Sequence, residues 1–253
     1  MAIFIDLKKA FDTVDHDILL QKMNHYGVRE KENLWFKNYL SEREQFVSIN
    51  GVASTNEKII CGVPQGSVLG PLLFLIFIND LPNATDFLTL LFADDTTFQI
   101  SHSDIEILKE KANSELEKAH EWFKSNKLTL NVKKTKFMIF AEAKPQSNVE
   151  LKIGGKLIDQ VGSDCKEKYF KFVGHVLDDK LSWEGHVQYI CKKLASSNFA
   201  INSFKHFLPP KNKIISILDS HLNFGNLLWG CTKTKYLNKI ESLQKKMHYK
   251  SCT

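Results

Sequence analysis

Leu88-Thr-Leu-Leu-Phe-Ala-Asp-Asp-Thr-Thr-Phe98 decides how this chain is read. Runs of β-forming residues flank two adjacent acids, and residues 87–100 predict a β-hairpin with Asp94-Asp95 at its tip. Neighbouring carboxylates repel each other. The repulsion is small in water and becomes useful when a cation lies between them. Mg²⁺ takes one or two carboxylates plus substrate phosphates, which such a tip supplies. The plain alternative is an Asp-Asp turn.

A second acid stands far upstream. Ile3-Phe-Ile-Asp-Leu-Lys-Lys-Ala-Phe-Asp12 reads as an apolar strand ending in Asp6, then a turn. A carboxylate at a strand end beside the hairpin tip would complete a two-metal site for in-line phosphoryl displacement. The bland reading makes Asp6 a capping acid and Phe11 a core residue. Between the two lies Gly62-Val-Pro-Gln-Gly-Ser-Val-Leu-Gly-Pro-Leu-Leu-Phe74, a stiff, glycine- and proline-rich bend. It delivers backbone N–H groups and Gln65 to the start of an apolar helix over 70–80, a place suited to phosphate approach. An ordinary loop-to-helix junction is the alternative.

Around these segments the periodicity predicts helices at 16–26 and 30–40, and a strand pair formed by 46–50 and 57–60 around Gly51. An amphipathic helix carries Ile105, Leu108, Ala112, Leu116, Ala119 and Phe123 on one face, capped by Ser103 or Asp104. Residues 128–130, 136–140, 149–153 and 169–177 read as strands, with a turn at Gly154-Gly155. Helices are expected over 183–207, 211–228 and 233–250, the first two separated by Pro209-Pro210.

Composition narrows the class. Hydrophobic residues make up 43% and charged residues 25%, which argues against disorder. The longest apolar run, Leu72 to Ile78, is far short of the roughly 20 residues a membrane span needs. No basic stretch precedes the apolar start, so no secretory leader is expected. Cys61, Cys165, Cys191, Cys231 and Cys252 form no CxxC pair. That fits a reducing, intracellular compartment, nuclear or cytoplasmic, better than a disulfide or zinc framework. Residues 1–126 hold 12 basic and 19 acidic residues, and residues 127–253 hold 22 and 10. The basic second half points to a polyanionic partner or to a solvated lysine-rich surface. From 181 on there are 11 lysines and three acids, so a boundary is expected near 180.

In this order and spacing, the segments resemble a reverse transcriptase of the non-LTR (LINE-type, Jockey-like) retrotransposon branch. Phe4 to His16 is similar to motif A, Gly62 to Phe74 continuing to Asn79-Asp80-Leu81-Pro82 to motif B, Phe92-Ala-Asp-Asp95 to motif C, and Leu128 to Phe140 to motif D. Phe172-Val-Gly174, Leu177-Asp178 and Leu181-Ser-Trp183 resemble the primer grip and its continuation. Trp229-Gly230 and Leu243-Gln-Lys-Lys246 resemble the thumb. One such motif is weak, whereas five in register are specific.

The resemblance implies an α+β polymerase palm over residues 1–180 and a helical thumb-like region over 181–253. It implies two Mg²⁺ ions (or Mn²⁺) held by Asp6, Asp94, Asp95 and the Leu7 carbonyl. Phe11 is then the gate against a ribose 2′-OH, Gln65 and Gly66 contact nucleotide and template, and Lys134, with Lys133 and Lys136 as rivals, protonates pyrophosphate. The partners implied are an RNA template, a DNA primer and dNTP; no membrane is expected, and the oligomeric state stays open. The implied activity is RNA-directed DNA polymerisation. The competing reading is a palm remnant that binds nucleic acid without turnover. Only five residues precede Asp6, a strand of roughly 17 Å, so the fingers that grip the triphosphate are expected to be missing, and poor polymerisation by the chain alone is expected. Tyr169 to Gly174 also departs from the usual primer-grip pattern.

Overall fold

The computed structural model describes residues 1–141, 149–204 and 220–251. The chain divides into two compact units, residues 1–138 with 143–160, and residues 139–142 with 161–253.

The first unit is built on β1 (Ala2–Ile5). All four of its residues are buried, and β7 (Asp95–Gln99) and β8 (Lys136–Met138) pair with it antiparallel on either side. Their neighbours complete the sheet order β6-β7-β1-β8-β10-β9, with β6 at Leu88–Phe92, β9 at Leu151–Ile153 and β10 at Lys156–Val161. Strand β6 lies at an edge and alternates between exposed and half-buried positions, as an edge strand with one covered face does. One sheet face carries Ile3, Phe98 and Phe137 into the core, each fully buried. The opposite face carries Leu90, Thr97 and Phe4 in line.

Helices α1 (His16–His25), α2 (Glu30–Leu40), α3 (Leu69–Ile78) and α4 (Ile105–Ser125) accompany this sheet. Asp104, rather than Ser103, caps α4: its carboxylate accepts the N–H groups of Glu106 (2.8 Å) and Ile107 (3.2 Å). The apolar stripe of α4 is buried from Leu108 to Phe123. It includes Glu115, whose burial alone would raise its carboxyl. Hydrogen bonds from Lys118 and the Asp86 N–H outweigh that and hold it below the usual range. Lys22 of α1 donates to the Phe77 carbonyl at the end of α3 (2.7 Å) and to Asp80 (2.6 Å), so a cation answers the negative helix terminus.

The stretch 44–58 differs from expectation. β3 (Ser48–Ile49) pairs with β4 (Val52–Ala53) around Asn50-Gly51, while β5 (Glu57–Lys58) pairs with β2 (Glu44–Gln45). The tight turn selects its nearest flanks, and 57–58 is left to close the outer rung. Residues 128–130 likewise form a single bridge, Leu7 to Leu130, rather than a strand.

The second unit holds the hairpin β11 (Phe170–Phe172) and β12 (His175–Leu177), then α5 (Glu184–Phe204), α6 (Asn226–Trp229) and α7 (Thr234–Ser251). Val187, Ile190 and Leu194 of α5 meet Trp229, Tyr236 and Ile240 in one buried cluster. The expected helix 211–228 is interrupted at Phe224-Gly225, where Gly225 takes φ +63° ahead of α6. Pro209-Pro210 and the rest of 205–219 lie outside the described residues, as do Cys252 and the side chain of Lys246. Among the described residues no helix is long and apolar enough to cross a membrane.

Candidate active site

The hairpin tip is a two-residue turn, Ala93-Asp94, closed by the Phe92–Asp95 pair. Asp95 is therefore the first residue of β7 rather than part of the turn. Ala93 sits at φ +53°, the left-handed region that tight hairpin turns require and that costs a non-glycine residue roughly 1–2 kcal/mol. On the other flank of β7, Ile5 pairs with Thr96. Asp6 and Asp95 are the residues next beyond that pair, and Asp6 is near enough for its charge to act on Asp95. Asp95 records this crowding. Its carboxyl is pushed above the usual carboxylate range by partial burial, then by the charges of Asp94 and Asp6.

Asp6 is fixed through its backbone. Its N–H donates to the Thr135 hydroxyl (3.2 Å) and its carbonyl accepts the Asn131 N–H (2.8 Å). Thr135, fully buried, donates in turn to the Asn131 carbonyl (3.2 Å). Lys8 N–H to Thr129 carbonyl (2.8 Å) completes the flanks of the Leu7–Leu130 bridge, so the Leu7 carbonyl takes no part in those two bonds. Lys133 and Lys134 lie exposed in the 131–135 turn that holds Asp6, and no ion pair among the described residues joins Lys134 to the three acids. Lys136 is buried and paired with Asp159 at 2.8 Å.

The glycine-rich segment is sewn onto the turn after Asp6. Gly62 N–H donates to the Val14 carbonyl (2.7 Å) and Val63 N–H to the Phe11 carbonyl (2.8 Å). His16 Nε2 meets the Gly62 carbonyl at 2.7 Å. Gln65 Nε2 donates to Asp12 Oδ1, also at 2.7 Å. Gly62 sits at φ +91°, and a Cβ there would stand 2.8 Å from the Asp12 carbonyl oxygen, so this approach needs glycine. The Phe11 ring packs on Phe74 of α3, centroids 4.6 Å apart, which leaves it half-buried. Gly66 is exposed at φ +77°, at the turn into α3. Asp12, His16, Asn131 and Thr135 are positioning groups that the sequence reading passed over. The first two lie inside the quoted motif A stretch and the last two inside the motif D stretch, and that proximity was the available signal.

The donor set suits a hard divalent cation: three carboxylates whose mutual repulsion a cation would relieve. Their present rotamers do not converge on one point. Among the described residues no three His, Cys, Asp or Glu side chains do. Asp94 and Asp95 are exposed, and a rotamer change at such side chains is a small step.

With Asp6 just past the central strand of an antiparallel sheet and Asp94-Asp95 at the adjoining hairpin, the first unit has the α+β arrangement of a polymerase palm. The chain belongs to the reverse transcriptase (RNA-dependent DNA polymerase) family, whose model matches residues 1–177. It is 29% identical to the RNA-directed DNA polymerase from mobile element jockey of Drosophila melanogaster, over 96% of this chain and 27% of that protein. The probable RNA-directed DNA polymerases from transposon BS and transposon X-element of the same fly are each 26% identical, over 96% and 97% of this chain. This chain covers 28% and 27% of those two proteins, so it spans little more than a quarter of the curated relatives it matches. A solved telomerase from Candida albicans, in complex with a fragment of telomeric RNA, aligns over 97% of this chain and 48% of that chain, with TM-score 0.46 and 12% identity.

Proposed function

We propose that this chain is the polymerase region of a non-LTR retrotransposon reverse transcriptase, adding dNTP to a DNA primer 3′-OH on an RNA template. The observation that carries the reading is the reverse transcriptase family match over residues 1–177, within which Asp6 follows β1 and Asp94-Asp95 lie at the β6–β7 hairpin. Asp6, Asp94, Asp95 and the Leu7 carbonyl would hold two divalent cations, Mg²⁺ or Mn²⁺. Bound there, the cations would lower the pKa of the primer hydroxyl and neutralise charge on the leaving pyrophosphate.

The chain's own groups do the rest. Phe11, backed by Phe74, fills the space a ribose 2′-OH would need and so selects deoxynucleotides. Gln65 and Gly66 present polar groups to the nucleotide and template. Lys134 offers a proton to the departing pyrophosphate, whereas buried Lys136 is engaged by Asp159. The division is a palm over 1–180 and a thumb over 181–253, where exposed Lys192 and Lys193 of α5 and Lys233, Lys235 and Lys239 in and beside α7 follow the phosphate backbone.

The test is dTTP binding to the chain on poly(rA) carrying chain-terminated oligo(dT). Mg²⁺-dependent binding that Asp94→Asn abolishes is the expected result. Binding indifferent to both Mg²⁺ and Asp94→Asn overturns the reading and leaves a non-catalytic nucleic-acid binder.

A further inference from the structure

Gln65 is an amide that can present either end to a ligand, and an exposed glutamine ordinarily samples both. Here it does not face neutral surroundings. Its Nε2 donates to Asp12 Oδ1 at 2.7 Å, and an ionised carboxylate can only accept. The partner is held in place by the backbone rather than by its own side chain. Asp12 follows Phe11, whose carbonyl takes the Val63 N–H, and precedes Val14, whose carbonyl takes the Gly62 N–H. The Asp12 carbonyl also accepts from the Cys61 thiol at 3.4 Å. Two bonded backbones therefore carry the carboxylate and the carboxamide towards each other.

We propose that Asp12 is a positioning residue that locks the polarity of Gln65. With the amide nitrogen committed to Asp12, Oε1 is the limb left for the ligand. Resting on the polymerase reading above, this makes Gln65 an acceptor for a hydroxyl or N–H donor on the sugar or base of an incoming deoxynucleoside triphosphate. A reversed amide would set a donor against that donor. Phe11 lies one residue away, so sterics and hydrogen-bond polarity act from a single turn.

The experiment measures the Kd for dTTP with Mg²⁺ on poly(rA) carrying chain-terminated oligo(dT), together with Tm. Losing one charge-assisted hydrogen bond predicts that Asp12→Ala weakens dTTP binding about five- to tenfold with Tm little changed. Asp12→Asn, whose carboxamide can meet Gln65 either way round, gives a smaller loss. In a Gln65→Ala background Asp12→Ala adds nothing, because the lock has nothing to hold. Unchanged affinity in Asp12→Ala overturns the proposal, as does a loss that persists without Gln65. If the unmodified chain binds no dTTP, the polymerase reading is what has failed. The lock is then decided by NMR of the Gln65 side-chain amide: a resonance that moves in Asp12→Ala supports it, and one that stays overturns it.

Discussion

β1 and β7 part at the Ile5–Thr96 pair, and Asp6 and Asp95, the next residue on each chain, repel each other closely enough that the Asp6 charge helps raise the Asp95 carboxyl. Like charges so placed disfavour the fold by roughly 0.2–1 kcal/mol. Neutralising Asp6 as Asp6→Asn should therefore stabilise the metal-free chain by up to about 1 kcal/mol, while abolishing Mg²⁺-dependent dTTP binding. Urea denaturation in chelator checks the first half and the binding assay the second. A loss of stability in Asp6→Asn would show that the two charges are not in contest.

Thr135 joins the turn at 131–135 to the chain at Asp6, just beyond β1. Its hydroxyl accepts the Asp6 N–H and donates to the Asn131 carbonyl. Thr135→Val keeps the volume and removes both bonds, leaving the half-buried Asp6 N–H unpaired at a cost of up to about 1–3 kcal/mol. Denaturation should show that cost, and dTTP affinity should fall with it because Asp6 is no longer pinned. Full dTTP affinity in Thr135→Val would mean that the strand alone positions Asp6.

His186 predicts a separate acid sensitivity. It is buried, its Nδ1 accepts the Val176 N–H, and its ring lies 5.1 Å from that of His175 among Trp183, Tyr189 and Trp229. Burial, then His175, pushes its pKa down to about 4 from an ordinary 6.5. Between those values the unfolded chain binds the proton and the folded chain does not. Stability is therefore complete above pH 6.5 and falls as pH drops towards 4, by at most about 3 kcal/mol and less where the ring keeps contact with water. Denaturation midpoints across that range should flatten in His186→Phe. An unchanged slope would place the titration elsewhere.

Much of the palm was readable because its signals are local. The alternation of residues 88–98, the spacing along α4 and the glycines of 62–70 each specify structure without distant partners. What escaped was long-range or geometric. Thr135 reaches Asp6 across 129 positions, and no periodicity carries that pairing. The φ of Ala93 places Asp95 on β7 instead of in the turn, a one-residue difference that sets which face its carboxylate shares. Lys136 looks like any lysine of a basic run until the β8–β10 neighbourhood brings Asp159 to it.

The most direct test of the carboxylate site is Mn²⁺ titration followed by electron paramagnetic resonance, with dTTP present, from pH 7.5 down to 5. The Asp95 carboxyl is raised by burial, Asp94 and Asp6, so protons compete for the site above the usual carboxylate range. The account predicts bound Mn²⁺ in the unmodified chain, weakening as pH falls. It predicts loss of that binding in both Asp6→Asn and Asp95→Asn. Equal Mn²⁺ binding by all three proteins would contradict it.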